Sequence, residues 1–575
     1  MAARIREKRV VPRAVLWRRG MLQSAPRDDP RSIAHLGDCR SGEFLVDTMP
    51  PASPRRLAIV WLCVTMAVPR ADAQGRSPDR IRAVIVRREA VFDSIEAVQF
   101  WPYRVANALH VETRPWVIRR ELLFAEGERF DSALMAESER NLRGLGIFRD
   151  VSIDHERTDS GVVILVWTAD AWSTTMGVGV ATSGTQSVLD LSLQEGNLLG
   201  TRTAAVLAYR NDPDRSSIAV AFDTPRALAD YVGIGASLTD RSDGRAGTFA
   251  VRFPFLSLSA RAGGSVIGAW SEGRLLRFAG GGGAPVDSLW REAALIRADA
   301  ATAITASPRG FVRVGMQVQV RREDIVPLLD RATVPKTVTL TAGPYVTRRA
   351  PRFFRVRNVI HMDRVEDVDL GTSASFGILL APAAWGYQRS GIGVSLGGGI
   401  GVRLPSGFGR LGVRVSALQT AEGTDSASAE AAGSIVLQPG PRHLIVAHAS
   451  GGVLRRPAPG REFDLGLGTG LRAYPAHSFT GDRQFVLATE YRWLAWQRLA
   501  GLVGVGAAVF GGTAGAWYHG APVRRGSELG AGLRIASIRE VGGVWRLDLS
   551  RRRATEDLAA GWVLSLGRGF VFGGI

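Results

Sequence analysis

The residue types that ordinarily carry catalysis or bind metals occur in this chain but are nowhere arranged for it. His110, His155, His361, His443, His448, His477 and His519 are scattered. No two of them have the spacing by which one helix face offers two imidazoles to a metal. His443 and His448, five apart in a stretch with strand periodicity, fall on opposite faces. No Gly-x-Ser-x-Gly turn precedes a helix. The glycine runs Gly466-Leu467-Gly468-Thr469-Gly470 and Gly398-Gly399-Ile400-Gly401 open no helix either, so they lack the N-terminus that makes a phosphate cradle; they suit bulges and small inward positions of a curving sheet. The reading is of a protein that is not an enzyme and uses no metal or cofactor. The chemistry on offer is charge pairing. Glu490 and Arg492 share a face opposite Phe485, Leu487, Tyr491 and Trp493, and Asp548 lies beside Arg546 opposite Trp545, Leu547 and Leu549. Charges held away from water must be paired, and the planar fork of arginine suits a carboxylate.

The elements that must position these charges are strands with one apolar face. In the last of them Trp562, Leu564, Leu566, Phe570 and Phe572 fall on one side, and Val563, Ser565, Gly567, Gly569 and Val571 on the other. A half-apolar strand at the end of a chain is an exposed sheet edge unless a partner strand closes it, and closure is what a membrane barrel requires. Composition agrees. Gly supplies 67 of 575 residues and mean hydropathy is +0.04, too polar for a helical membrane protein. No apolar run reaches the roughly 18 residues of a membrane-spanning helix.

The longest apolar run, Leu57 to Val68, follows Arg55-Arg56 and precedes Ala71-Asp72-Ala73. This is the three-part form of a secretory signal, with cleavage expected before Gln74 and translation starting at Met49. Residues 1–48 then form an N-terminal extension with no part in the fold, and 49–73 the signal peptide. Cys39 and Cys63, the only cysteines, both precede Gln74, so disulfides, zinc sites and thiol nucleophiles are not expected in the mature chain. The net charge of +18 falls to +12 after Ala73, because 13 Lys+Arg and 7 Asp+Glu precede Gln74. What remains is nearly all arginine at alternate strand positions, neither clustered on a helix nor interleaved with stacking aromatics, which excludes a nucleic-acid partner. A positive lumen and lipid headgroups account for it better.

The pattern changes near Trp172. Before it come a strand over Ile81 to Phe92, a short helix over Pro115 to Phe124, and a second helix from Asp131 to about Gly144 with Leu134, Met135, Ser138, Leu142 and Leu145 on one face. Strands over Phe148 to Ile153 and Val162 to Trp167 complete a small α+β domain. After it, helical periodicity gives way to alternating stretches separated by Gly, Pro, Asp and Ser turns. About 404 residues at roughly 25 per strand and connection predict some sixteen antiparallel transmembrane strands. The last five are expected at 483–496, 501–510, 527–538, 541–550 and 560–572.

Three stretches resemble a known family. The string T-R-P-W-V-I-R-R-E-L-L-F-A-E-G-E-R-F-D from Thr113 to Asp131, with N-L-R-G-L-G-I-F-R-D-V from Asn141 to Val151, resembles a POTRA domain of the BamA/TamA outer-membrane assembly family. L-Q-E-G-N-L-L-G from Leu193 to Gly200 and F-D-T-P-R from Phe222 to Arg226 resemble the first strands of that family's barrel. Ser565, Gly567, Phe570 and Phe572 match the C-terminal strand signal of outer-membrane proteins, although Gly573-Gly574-Ile575 trail beyond it. The resemblance implies a periplasmic POTRA domain over 79–170, an outer-membrane barrel over 172–575, and a loop that folds into the lumen carrying a V-R-G-F/Y motif. Here that motif reads Leu471-Arg472-Ala473-Tyr474, with Ala473 in place of glycine. Glu490 is the expected carboxylate for Arg472. The family's second carboxylate belongs to an F-x-D motif that reads Phe510-Gly511-Gly512 in this chain, so Asp548 is the candidate replacement.

What the resemblance implies for function is insertion of other barrels, with unfolded outer-membrane proteins as clients, outer-membrane lipids as surroundings, and periplasmic chaperones or lipoproteins as further partners. A two-partner-secretion translocator and a passive porin-like channel stay open as alternatives.

Overall fold

The computed structural model describes residues 79–568, apart from short breaks at 100, 184–185, 229–230, 279–284, 329–336, 468 and 541–542. The expected signal at 49–73, the extension before it, and Phe570 and Phe572 lie outside the described residues.

The N-terminal unit is built from β1 (Ile81–Glu89), α1 (Ser94–Gln99), α2 (Trp101–Leu109), α3 (Pro115–Arg119), α4 (Ser132–Gly144), β2 (Phe148–Thr158) and β3 (Gly161–Asp170). Its sheet has the order β1-β3-β2, with β1 parallel and β2 antiparallel to the central β3. Pro115 opens α3, where a missing amide proton costs nothing. The Asp131 carboxylate accepts the Ala133 amide at 2.7 Å and starts α4. Leu142 on α4, Ile118 on α3, and Val162, Ile164 and Val166 on β3 are fully buried in one core. The strand, helix, helix, strand, strand order read from sequence therefore gains two members, α1 and α2. Their apolar residues have helical spacing, but Pro102 interrupts the pattern; at the start of α2 it is tolerated where it would break a helix interior.

The rest of the described chain closes a barrel of twenty strands, from Thr174–Ser183 to Gly561–Arg568, in which each strand pairs antiparallel to its neighbours. The expectation of about sixteen is corrected. It assumed a uniform spacing of roughly 25 residues, whereas several connections are two residues long, at 242–243, 308–309, 405–406, 421–422 and 441–442. The last five strands are Arg483–Leu499, Val503–Trp517, Arg525–Ser537, Trp545–Arg552 and Gly561–Arg568, close to where alternation places them. An even strand number brings both ends of the barrel to the side that carries the N-terminal unit.

Alternation divides the two faces of the wall. Leu487, Trp493, Leu547 and Leu549 point outward and are exposed, while Ala488, Glu490, Arg492 and Asp548 point inward and are buried. Outward apolar side chains recur on nearly every strand, Leu193, Ile218, Ile296, Val318, Leu396 and Val413 among them, as a lipid-facing band requires. Inward arginines pair with acids on neighbouring strands: Arg210 with Asp190 and Arg291 with Glu323.

Two connections fold into the lumen from opposite ends. On the side away from the N-terminal unit, 456–482 enters with a short hairpin, Phe463–Leu465 and Phe479–Gly481. On the near side, 351–371 forms a hairpin of Phe353–Arg357 and Val365–Asp369. Its Val359, Val368 and Leu370 pack on the inward residues Phe408, Val436, Leu444 and Val446, and its Met362 packs on Leu494 and Ala536. This inner hairpin is also tied to the N-terminal unit. Arg143 of α4 donates to Asp367 at 2.6 Å, Arg355 donates to Glu139 at 2.7 Å, and Arg364 reaches the Phe148 carbonyl.

Closure between the first and last strands is thin. Among the described residues only Ser565↔Ala181 and Leu566↔Val180 pair across it, whereas the last two strands pair continuously from Trp545↔Arg568 to Arg552↔Gly561.

Candidate functional site

The loop segment Leu471-Arg472-Ala473-Tyr474 is almost wholly buried inside the barrel. Gly470 precedes it with φ +80°, a conformation that favours glycine, and turns the chain toward the wall. Leu471, Ala473 and Tyr474 then pack with Phe479, Val486, Ala514, Ala516 and Val563, the last of these on the final strand. The Tyr474 ring lies so close to Gly526 that a Cβ there would sit 2.4 Å from it. Its hydroxyl accepts the Ser527 amide at 2.9 Å and lies 2.8 Å from the Arg553 carbonyl, to which it can donate.

Arg472 sits where two carboxylates converge. It donates to Glu490 at 3.1 Å and, through its other terminal nitrogen, to Asp548. Its guanidinium stacks 3.7 Å from the Phe510 ring centroid. Both carboxylates belong to a larger set. Arg534 donates to both Glu490 oxygens, at 3.2 and 3.0 Å, and to Asp548 at 2.6 Å. Arg492 donates to Glu490 at 2.5 Å, and Arg546 to Asp548 at 3.2 Å. Glu490 and Arg534 are 1% exposed and Asp548 0%, so the set is dry and each charge depends on the others. The position of Gly512, where the family's motif carries its aspartate, is filled on the lumen side by Leu471, whose Cδ2 would lie 3.5 Å from an added Cβ. Asp548 supplies the second carboxylate instead.

The backbone of Ala473 is held as firmly as the Arg472 side chain. Its amide donates to Glu528 at 2.8 Å. Its carbonyl accepts from Ser183 at 3.2 Å and from Arg552 at 3.1 Å, and Ser183 and Arg552 lie 3.0 Å apart. Ser183 ends the first barrel strand and Arg552 the penultimate one. Gln186, which begins the second strand, accepts the Ala476 amide at 2.8 Å. The loop tip thus joins wall strands on both sides of the thin closure. Farther out, His477 lies between Asp464 at 2.6 Å and Asp214 at 3.0 Å and stacks on Phe278 with centroids 3.6 Å apart.

Leu471, Arg472, Ala473, Tyr474, Glu490 and Asp548 are therefore brought together. Ser565 and Gly567 lie in the final strand, and Ser565 is one of the pairs across the closure. Arg534, Glu528, Ser183 and Arg552 were not foreseen from the sequence, and Phe510 was named only as part of the F-x-D stretch. Arg534 and Glu528 carry a readable signal, since they alternate with outward Leu529, Leu533 and Ile535 and so share the inward face with Ala536. Among the described residues no cluster of His, Cys, Asp and Glu could hold a metal ion.

No family model matches the chain. Over 131 residues it is 28% identical to the outer membrane protein assembly factor BamA of Neorickettsia risticii, a match spanning 22% of this chain and 18% of the relative. Solved structures that align with it include BamA from Haemophilus ducreyi lacking POTRA domains 1–3, at 12% identity and TM-score 0.35 over 85% of each chain. CdiB from Acinetobacter baumannii aligns at 10% identity and TM-score 0.43, over 85% of this chain and 74% of that one. CdiB from Escherichia coli aligns at 12% identity and TM-score 0.43, over 88% and 93%. The match to BamA, in a chain that closes an antiparallel barrel with an apolar outer face, supports the resemblance to the BamA/TamA family of outer-membrane β-barrel proteins.

Proposed function

We propose that this protein inserts unfolded outer-membrane polypeptides through the closure between its first and last strands, with residues 79–170 acting as a periplasmic POTRA domain that receives them and 49–73 as the export signal. The observation that carries the reading is the closure itself. It holds two residue pairs among the described residues, and a buried loop tip at Ala473 bridges its two sides. A closure so thinly paired is the place where a barrel parts most readily, exposing backbone donors and acceptors to which an incoming strand can pair. The N-terminal sheet leaves β1 and β2 as edges, and β2 carries exposed Asp154, His155 and Glu156. Extended client can add to such an edge before it reaches the wall.

A passive pore fits less well, because both 456–482 and the inner hairpin fill the lumen. The test is a lock. Ala181→Cys with Ser565→Cys, oxidised across the closure in proteoliposomes, should abolish insertion of a urea-unfolded barrel client, and reductant should restore it. Full insertion by the oxidised protein would remove the basis of this reading. Release of client into the vesicle lumen would replace insertion by translocation.

A further inference from the structure

The helices α1 and α2 give no residue to the core of the N-terminal unit, which is built from β1, α3, α4, β2, β3 and their connections. Their attachment is made on one side only. Tyr103 stacks on Phe92 with centroids 4.1 Å apart, Asn107 exchanges two hydrogen bonds with the Phe92 backbone at 2.8 and 3.1 Å, and His110 meets Asp170 at 3.0 Å. The other side is apolar and bare. Trp101, Val105 and Leu109, four residues apart and so on one stripe of α2, are 65%, 45% and 72% exposed. Ile95 and Val98, three apart on α1, are 71% and 78% exposed. A water-facing domain gains nothing from five large apolar side chains left exposed on two successive helices.

The helix pair is anchored to the barrel rim. Arg539, in the connection between Arg525–Ser537 and Trp545–Arg552, donates to the Val91 carbonyl at 3.1 Å, pairs with Glu96 of α1, and lies 5.1 Å from the Phe92 ring centroid. The Trp172 amide donates to the Arg539 carbonyl at 2.7 Å, and the neighbouring Glu540 accepts from Arg568, at the end of the last described strand, at 2.5 Å. The pair therefore sits at the foot of the last three strands, where outward Ile535 and Leu547 bring the lipid-facing band down to the rim and the Arg568 guanidinium covers Trp545 at 4.6 Å. In a barrel that spans a bilayer, a rim where outward apolar residues end beside tryptophan and arginine is where hydrocarbon gives way to headgroups.

We infer that α1 and α2 form an interfacial anchor whose apolar stripe seats in the periplasmic leaflet of the outer membrane, beside the closure. Its partner is phospholipid. The attachment of α1 to Arg539, at the foot of the strands that carry outward Ile535 and Leu547, selects lipid over a soluble protein. A tryptophan in the stripe and exposed Arg104 at its margin are the side chains that an acyl-headgroup boundary accommodates. The inference depends on the barrel spanning a bilayer and not on how client is handled, so the closure lock and the experiment below can fail independently.

The test uses the full chain with Cys39 and Cys63 replaced by Ser and a single Val98→Cys carrying an environment-sensitive fluorophore, in vesicles of phosphatidylethanolamine and phosphatidylglycerol. A probe at Glu156→Cys, on exposed β2, is the control. The Val98 probe should emit to the blue of the control. Phospholipids spin-labelled near the headgroup should quench it several-fold more strongly, and aqueous iodide less. Trp101→Asp with Leu109→Asp should lower that lipid quenching while leaving the heat-resistant barrel intact. Water-like emission with iodide quenching equal to the control would overturn the inference. So would a blue shift that appears only when unfolded client is added, which would make the stripe a client surface.

Discussion

Glu490→Gln should be the most damaging single change in the lumenal charge cluster, and it should be relieved by a second mutation that would be harmful alone. The two Glu490 oxygens take hydrogen bonds from Arg472, Arg492 and Arg534. The amide keeps the shape but removes the charge, so Arg472 and Arg534 must share Asp548 with Arg546, and Arg492 loses the carboxylate to which it donates. A buried charge stripped of its partner costs roughly 3–5 kcal/mol. That is in line with the ~4 kcal/mol that opposite charges at 4 Å exchange at an effective dielectric near 20. Arg472→Met leaves both carboxylates of the cluster paired, because Glu490 keeps Arg492 and Arg534, and Asp548 keeps Arg534 and Arg546. Its cost is the lost charged hydrogen bonds, about 1.5–3 kcal/mol. The double variant removes one charge of each sign, so its stability should lie above that of Glu490→Gln alone, with a coupling of about 1–3 kcal/mol. Urea titration in lipid vesicles, read by the gel shift of folded barrel, gives the order, and protease cutting within 456–482 reports whether the loop has left the lumen. A double variant as unstable as the sum of the singles, or Arg472→Met as costly as Glu490→Gln, would refute the shared-charge account.

The facing of the wall predicts that Ile296→Arg, on the outward side, costs roughly 2–4 kcal/mol near the midplane, while Ala301→Arg, on the inward side of the same strand, leaves the urea midpoint nearly unchanged. Asp367→Asn weakens the hold of Arg143 on the inner hairpin and should raise single-channel conductance in planar bilayers; unchanged conductance would mean that apolar packing and the ties made by Arg355 and Arg364 hold the hairpin without it. Burial raises the carboxyl of Glu137 above its usual value near 4.5, chiefly by desolvation, against the Leu258 amide that it accepts. A carboxyl raised in the folded state costs stability when ionised, and the cost disappears as pH falls through its folded value toward 4.5. Glu137→Gln should therefore protect the N-terminal unit from protease better than wild type at pH 7, with the difference closing near pH 4.5.

Much of this was legible in the sequence because a strand period of two assigns every side chain to a face. The inward set Glu490, Arg492 and Asp548 and the outward set Leu487, Trp493 and Leu547 follow from counting alone. Arg534 and Glu528 were equally countable, but they lie on the wall opposite the loop motif, and nothing in the motif points across the lumen to them. The strand number failed for a different reason. Alternation marks strands but not the length of the turns between them, and two-residue turns such as 242–243 and 441–442 add strands that an average spacing omits. The inner hairpin has no local signature either: Phe353–Arg357 and Val365–Asp369 read like any short strands. That they leave the wall and fill the lumen is decided by Phe408, Val436 and Leu444, tens of residues away.

The inner hairpin reaches farther than its packing suggests. Arg492, one of the three arginines on Glu490, also lies 3.4 Å from the Val359 carbonyl at the hairpin tip, while Arg472 approaches Glu490 from the loop at the other end. One carboxylate is thus common to a segment bound to the N-terminal unit and a segment bound across the closure. Thermodynamic reciprocity then constrains the molecule. If displacing the hairpin loosens Arg472 by some free energy, displacing the outer loop must loosen the hairpin by the same amount. A ligand at the outer face would be felt at α4, and a polypeptide pulling on α4 would be felt at Ala473, with no contact running directly between them.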